Sequence, residues 1–286
     1  MKKMKFNTVI GRTVAAGCVV GLFMAAQAAS ACTLQSWSAV SGAVDPGGPN
    51  PDTTNNEVAS ARYSGFCAMK AAGEGFVQDN SPGGINRIRA RFYVFNELAG
   101  GQSAQIFRGF SSTNGSGFLF TVTLNDAGQV VLRDNVANQT VSQTSATPWA
   151  SVEIDWSQGS GDGVINLSVN GQTPDTNTAL SNSGSPLEAV RLGNLNGASG
   201  DLSFDAYESR RTTAVGRVCP GDADPTGQSA DFRDFADIDA IFVEFATLGG
   251  VPAAGAPDIT EDGVVDFEDI DEVFRLFATL QGACPQ

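Results

Sequence analysis

The chain has 286 residues, with 17 Lys and Arg against 31 Asp and Glu, no His, and a formal charge of −14. That balance excludes nucleic-acid recognition, which needs a basic face to neutralise phosphates. Without histidine there is no Ser-His-Asp triad, and without CxxC spacing among the 5 Cys nothing points to zinc.

Residues 1–31 read as a secretory signal. Lys2, Lys3, Lys5 and Arg12 form a positive start, and Val14 to Ala26 form an apolar stretch too short to span a bilayer. Cleavage is expected after Ala28 or Ala31. The second would leave Cys32 first and raise lipoprotein anchoring, but Ala29 stands where a lipid-attachment signal wants a larger aliphatic residue. Ordinary export to the extracellular space or cell surface is therefore expected. No later segment is apolar enough to cross a membrane. Four cysteines remain beyond the signal: Cys32, Cys67, Cys219 and Cys284. An even count in an exported chain points to disulfides, with three pairings open. Position favours Cys32–Cys67 and Cys219–Cys284.

Residues 32–214 are rich in Gly, Ser, Asn and Thr, with short alternating runs between turn signals. Ile88, Ala90, Phe92 and Val94 share one face and Arg87, Arg89 and Arg91 the other. The arginine ladder reads as a solvated outer face. Phe118, Phe120, Val122 and Leu124 repeat the alternation, as do Val152, Ile154 and Trp156, then Ile165, Leu167 and Val169. Asn170–Gly171 predicts a tight hairpin turn. Many short strands at even spacing predict a β-sandwich or barrel. The run PWASVEIDWSQGSGDGVINLSVNGQ, with LEAVRLGNLNG and GDLSFDAYES further on, resembles the laminin-G or concanavalin-like jelly roll. That resemblance implies a sandwich and leaves function open, since the fold hosts lectins, adhesion modules, enzymes and spacers.

Glu153 and Asp155 are the weak catalytic candidates. With Trp156 and Gln158 they resemble the E-x-D-x-x-E strand of laminarinase-type glycoside hydrolases. Retaining hydrolysis needs two carboxyl groups flanking the sugar bond. The third acidic position is Gln158, and an amide cannot serve as the general acid or base. Trp149 and Trp156 are expected against the core or at a strand end.

The last region is 215–286, and from Cys219 on it holds 15 acids and only Arg233 and Arg275 as bases. DITEDGVVDFED at 258–269 has the form of a calcium loop. Asp258, Thr260, Asp262, Asp266 and Asp269 take positions 1, 3, 5, 9 and 12, Gly263 takes the sharp turn, and Val264 offers a carbonyl. A second copy lies 32 residues earlier, where Asp234, Phe235, Asp237, Ile238, Phe242 and Phe245 match Asp266, Phe267, Asp269, Ile270, Phe274 and Phe277. Asp222 and Asp224 open that first loop, with Asp234 and Asp237 closing it after four extra residues. Each copy predicts a loop feeding a helix, and the stripes Ile238/Phe242/Phe245 and Ile270/Phe274/Phe277 are expected to pack on each other.

This pair resembles the dockerin type I module, a tandem of EF-hand-like calcium loop-and-helix units. The resemblance implies calcium, and it implies attachment to a cohesin-like or envelope protein. Positions 10 and 11 depart from the small hydroxyl residues of cellulosomal dockerins, being Phe235–Ala236 and Phe267–Glu268. The expected architecture is thus a mostly β jelly-roll sandwich followed by a small α-helical calcium module. The expected function is non-catalytic binding of a glycan or surface ligand. The alternatives are a tethered glycoside hydrolase in polysaccharide catabolism and a structural envelope or matrix protein.

Overall fold

Alternation of apolar and polar residues sets the strands, and glycines set where they bend. The computed structural model describes residues 34–47, 63, 68–216, 235–248, 259 and 265–280. In order these form β1 (Ala39–Gly47), β2 (Ala68–Asp79), β3 (Arg87–Leu98), β4 (Ser103–Phe110), β5 (Phe118–Asn125), β6 (Gln129–Asp134), β7 (Gln139–Thr144), β8 (Trp149–Ser157), β9 (Ser160–Val169), β10 (Asp175–Ser181), β11 (Ala189–Asn194) and β12 (Gly200–Arg210). Two helices follow, α1 (Phe235–Leu248) and α2 (Phe267–Leu280).

The strands form a jelly-roll-like sandwich. One layer runs β10-β9-β8-β3-β12 and the other β11-β4-β5-β6-β7. β2 joins them. Its first half pairs with β12 through Met69–Ala71, and its second half pairs with β11 through Gly75–Asp79. β1 follows β2 along its other edge, from Ala39↔Gln78 to Gly47↔Ala68. The bend lies where Gly42 faces Gly75. A Cβ on Gly75 would sit 2.7 Å from the Ala43 nitrogen, so the two backbones approach as only glycine allows. At the far edges β7 turns back toward β9 and β10. Gln143 Oε1 accepts from Val169 N at 2.6 Å, and Asp175 Oδ2 accepts from Ser142 N at 2.8 Å.

The inward faces make one core. Phe92 of β3, Phe107 of β4, Phe120 of β5 and Trp156 of β8 form a ring chain from one layer to the other, with centroids 5.2, 5.7 and 5.3 Å apart. Each such burial contributes about 1.5–3 kcal/mol. One polar cluster interrupts this core. Asp134, at the end of β6, is fully buried, and its Oδ2 accepts from Trp156 Nε1 at 2.8 Å and Asn182 Nδ2 at 2.6 Å. Its Oδ1 accepts from Val136 N and Ala137 N, closing the turn into β7. The cluster clasps the two layers, since β6 and β8 lie in different ones.

The expected tight turn at Asn170–Gly171 is present, with φ of 54° and 70° and Gln172 N donating to Val169 O at 3.1 Å. Phe118 departs from its expected inward place. It is 53% exposed and lies under Arg108 on the outer side, next to an irregular register at Gly109/Phe110. The helical stripes also differ from expectation. Ile241, Val265, Ile270 and Val273 make the buried cluster, joined by Ile238 and Ile259, while Phe242, Phe245 and Phe274 stay largely exposed. Phe242 and Phe245 touch Phe267 instead. The smaller aliphatic residues, three apart on each helix, allow closer packing than the phenylalanines would. No helix among the described residues is long and apolar enough to cross a membrane.

Candidate functional site

Cross-strand register puts a polar pocket on the outer face of β3, β8 and β9. Ile154 and Trp156 point into the core, so Glu153 and Asp155 between and beside them point out. Asp155 lies opposite Arg89 on β3 and Asn166 on β9, and Glu153 lies opposite Arg91 and Ser168. The loop of Gly171, Gln172 and Pro174 and the returning Ala214 wall the space, which holds about 430 Å³.

Both carboxylates are engaged. Asp155 takes a fork from Arg87, at 2.9 Å from Nε and 2.5 Å from Nη2, and a third bond from Arg89 Nε at 2.9 Å. The hydrogen bond to Asp155 pushes the Arg87 pKa up, against the pull of desolvation. Glu153 Oε1 accepts from the backbone N–H groups of Val215 and Gly216, at 3.2 and 3.4 Å. Gln158 is outside the pocket wall and donates to Ser185 O at 2.8 Å. The strand therefore supplies one carboxylate held by two guanidiniums and another held by a backbone turn. Neither has a second carboxyl partner in the pocket lining beyond the other.

The arginine ladder is a solvated face only at Arg87, which is exposed, while Arg89 is partly covered. Arg91 is buried, and its guanidinium donates to Ala206 O, to Gly216 O at 3.0 Å and to Glu208 at 3.5 Å. Desolvation holds its pKa down, only partly offset by Tyr93 and Glu208. Strand alternation says that these side chains face out. It does not reveal that the segment after β12 folds back over them. Beside Arg91 an aromatic group continues the outer face. Tyr63 stacks on Tyr93 at 3.7 Å, and Trp149 packs on Phe95 at 5.3 Å and edge-on to Tyr63. Trp149 is thus on the outer face, and Trp156 alone of that pair is in the core.

At the acidic repeat, Asp266 and Asp269 meet at the start of α2. Asp266 Oδ1 accepts from Glu268 N at 2.8 Å, and Asp269 Oδ2 accepts from Asp266 N at 2.8 Å. This is a reciprocal cap that satisfies two otherwise orphaned helix donors. Asp269, and Asp237 at the matching place in α1, are fully buried. Among the described residues no three His, Cys, Asp or Glu groups converge to hold a metal. Asp258, Thr260, Asp262 and Val264 lie outside the described residues, as do Asp222, Asp224 and Asp234. So do Cys32, Cys67, Cys219 and Cys284 and the signal segment. The donors that are described fit calcium in kind, being hard carboxylate oxygens at one helix end.

No protein-family model matches the chain, and no curated protein does. Solved structures resemble it in shape. "Cellulose induced protein, Cip1" is 16% identical at a TM-score of 0.45, covering 64% of this chain and 94% of its own. The binding domain of botulinum neurotoxin DC in complex with SialylT is 13% identical at 0.41, covering 75% of this chain and 47% of its own. An alginate lyase from Alteromonas sp. 272 is 12% identical at 0.34, covering 59% of this chain and 95% of its own.

Proposed function

We propose that the chain is a secreted, non-catalytic binding and attachment protein. Its sandwich takes a glycan in the outer-face pocket, and its acidic repeat, tied by calcium, attaches it to an envelope or cohesin-like partner. The observation that carries the first half is the state of the two carboxylates. A nucleophile and a general acid must be free to meet the sugar, and here Asp155 is clamped by Arg87 and Arg89 while Glu153 holds a backbone turn. What remains for a ligand is a set of neutral polar groups, Asn166, Ser168 and Gln172, in an open space of about 430 Å³. Amides and hydroxyls at fixed spacing suit sugar hydroxyls, which both donate and accept.

Asp258, Thr260, Asp262, the Val264 carbonyl, Asp266 and Asp269 would hold calcium, and Asp222, Asp224, Asp234 and Asp237 a second ion. Two of the loop's hard oxygen donors, Asp266 and Asp269, already meet at the start of α2, which supports this. Binding free energy of the ion would then stabilise the module.

A glycan array with the whole secreted chain tests the sandwich. Binding lost on Asn166→Ala and kept on Glu153→Gln is the expected result. Release of reducing sugar from a β-glucan panel, abolished by Glu153→Gln, would instead establish the glycoside hydrolase reading. Calorimetric titration of calcium into the chelator-stripped chain tests the repeat, and absence of heat would remove calcium from it.

A further inference from the structure

The opposite layer carries a second cluster that none of the above uses. Gln78, Arg191, Arg108, Thr121, Arg133 and Thr140 are successive cross-strand partners from β2 to β7. Their chain neighbours Val190, Leu192, Phe107, Phe120, Val122 and Leu132 point into the core, so the row faces out. Three arginines thus lie in one line. Arg191 and Arg108 are directly opposite each other, and Arg133 is two strands from Arg108, about 10 Å at the ordinary strand spacing.

Like charges placed directly opposite destabilise a sheet. Elsewhere on the sandwich arginines are matched: Arg87 and Arg89 share Asp155, Arg91 takes carbonyls and Glu208, and Arg210 takes Glu208. Arg108 and Arg191 form no ion pair among the described residues. Arg191 Nε donates to Gln78 Oε1 at 2.7 Å, but the buried Nε of Arg108 has no acceptor among the described residues. Burial lowers the pKa of both guanidiniums, and in Arg108 the neighbouring Arg191 adds to it.

Aromatic rings hold the pair in place. Arg191 lies 4.1 Å from the Phe76 ring centroid and 4.8 Å from that of Phe110, and Arg108 lies 4.5 Å from that of Phe118. Gly115 leaves room for the Arg191 fork, since a Cβ there would sit 2.3 Å from Nη2. The result is a pair of preorganised forks with unspent donors beside an exposed phenyl ring.

We propose that this row is an anion-binding surface for a polysaccharide carrying carboxylate or sulfate-ester groups. Two oxygens of one such group match a guanidinium fork. The row is extended, with Arg133 exposed and Arg108 and Arg191 partly exposed, so a chain with repeated anions can meet Arg191–Arg108 and Arg133 together. Phe118 offers an apolar face to a sugar ring. This site is on the other layer from the neutral-polar pocket and stands independently of it.

The test measures affinity of the whole secreted chain for polygalacturonate, dextran sulfate, neutral dextran and poly-glutamate, each at low and high salt. The expected result is salt-sensitive binding to an anionic polysaccharide and none to dextran. Preference for polygalacturonate assigns the anion as carboxylate, and preference for dextran sulfate assigns it as sulfate ester. Arg108→Gln and Arg191→Gln should each weaken binding about tenfold, with Arg108→Lys between them and the wild type. Arg108→Gln should not lower the melting temperature, because it removes a like-charge contact and a donor without an acceptor, whereas Arg191→Gln also gives up the bond to Gln78. Unchanged affinity in both Gln variants would overturn the proposal, as would equal binding to poly-glutamate. Loss in Asn166→Ala without loss in Arg108→Gln would also overturn it, by returning anion binding to the first pocket.

Discussion

Asp134 is the most exacting test of how the two layers are held. Its carboxylate accepts four N–H bonds, two of them from the buried Trp156 ring and Asn182 amide. Asp134→Ala removes all four acceptors. Val136 N and Ala137 N lie at an exposed turn and can find water, so they add little. Trp156 Nε1 is left without a partner in the core, and Asn182 Nδ2 loses one of its two acceptors, keeping only Ser157 O at 3.1 Å. A buried donor stripped of its acceptor costs about 1–3 kcal/mol, and bonds to a charged group lie at the upper end. The expected loss is therefore about 3–5 kcal/mol, a large share of the roughly 5–15 kcal/mol that holds a typical domain folded. Asp134→Asn keeps the shape but turns an NH2 toward one or both donors, and about 2–3 kcal/mol should go. Urea unfolding followed by tryptophan fluorescence measures both, and Trp156 reports directly on the lost bond. A loss below about 1 kcal/mol in Asp134→Ala would refute the clasp.

Other perturbations test separate parts. Gly75→Ala should cost about 1–3 kcal/mol by pressing a methyl group against the β1 backbone, read as a lower urea midpoint, whereas an exposed Gly184→Ala should not press on anything. Arg91→Ala removes the guanidinium that holds the Ala206 and Gly216 carbonyls, so trypsin should cut faster at Arg210 and Arg211. Burial, with help from Asp79, pushes the Tyr207 phenol above its ordinary pKa. The unfolded chain then releases this proton first, so the contribution is whole below about pH 10 and is lost as pH climbs toward the folded value. Alkaline unfolding should be blunted in Tyr207→Phe, and an unchanged profile would exclude Tyr207 as the cause. Asp269→Ala removes the cap on Asp266 and the calcium ligand proposed at that position. It should lower helicity and weaken calcium binding at least tenfold by calorimetry if the loop holds the ion.

The sandwich was largely legible because burial on one side writes itself into alternation. Ile88 to Val94, Val152 to Trp156 and Ile165 to Val169 show it, and each run lies where a strand does. Phe118 misled because a register irregularity at its partner strand breaks the period of two. The helical repeat was legible from its 32-residue self-similarity, but not which residues it buries. Ile241 and Val273 pack inside, and the larger Phe242 and Phe274 do not. The sites were less legible still. Glu153 and Asp155 could be placed on one face, yet the clamp by Arg87 and Arg89 depends on β3 pairing with β8, about 66 residues away in sequence. Asp134 looks like an ordinary turn aspartate until Trp156 and Asn182 converge on it. The Arg191–Arg108 pair needs the register of β4 against β11, which no local pattern states.

The seam strand has a consequence for how the molecule comes into being. β2 lies near the start of the sandwich, but its partners on one edge are β11 and β12, the last strands made. β3 likewise waits for β8 and β12. During synthesis the early strands have only short hairpin partners, and one layer cannot be completed until Asn194 has emerged, nor the other until Arg210 has. Pairing across such separations makes closure slow, because loop entropy is lost before the contacts form. A chain stopped before β11 keeps β1 and β2 as a hairpin with no layer to join, so the transition to the folded state is set by the arrival of the final strands.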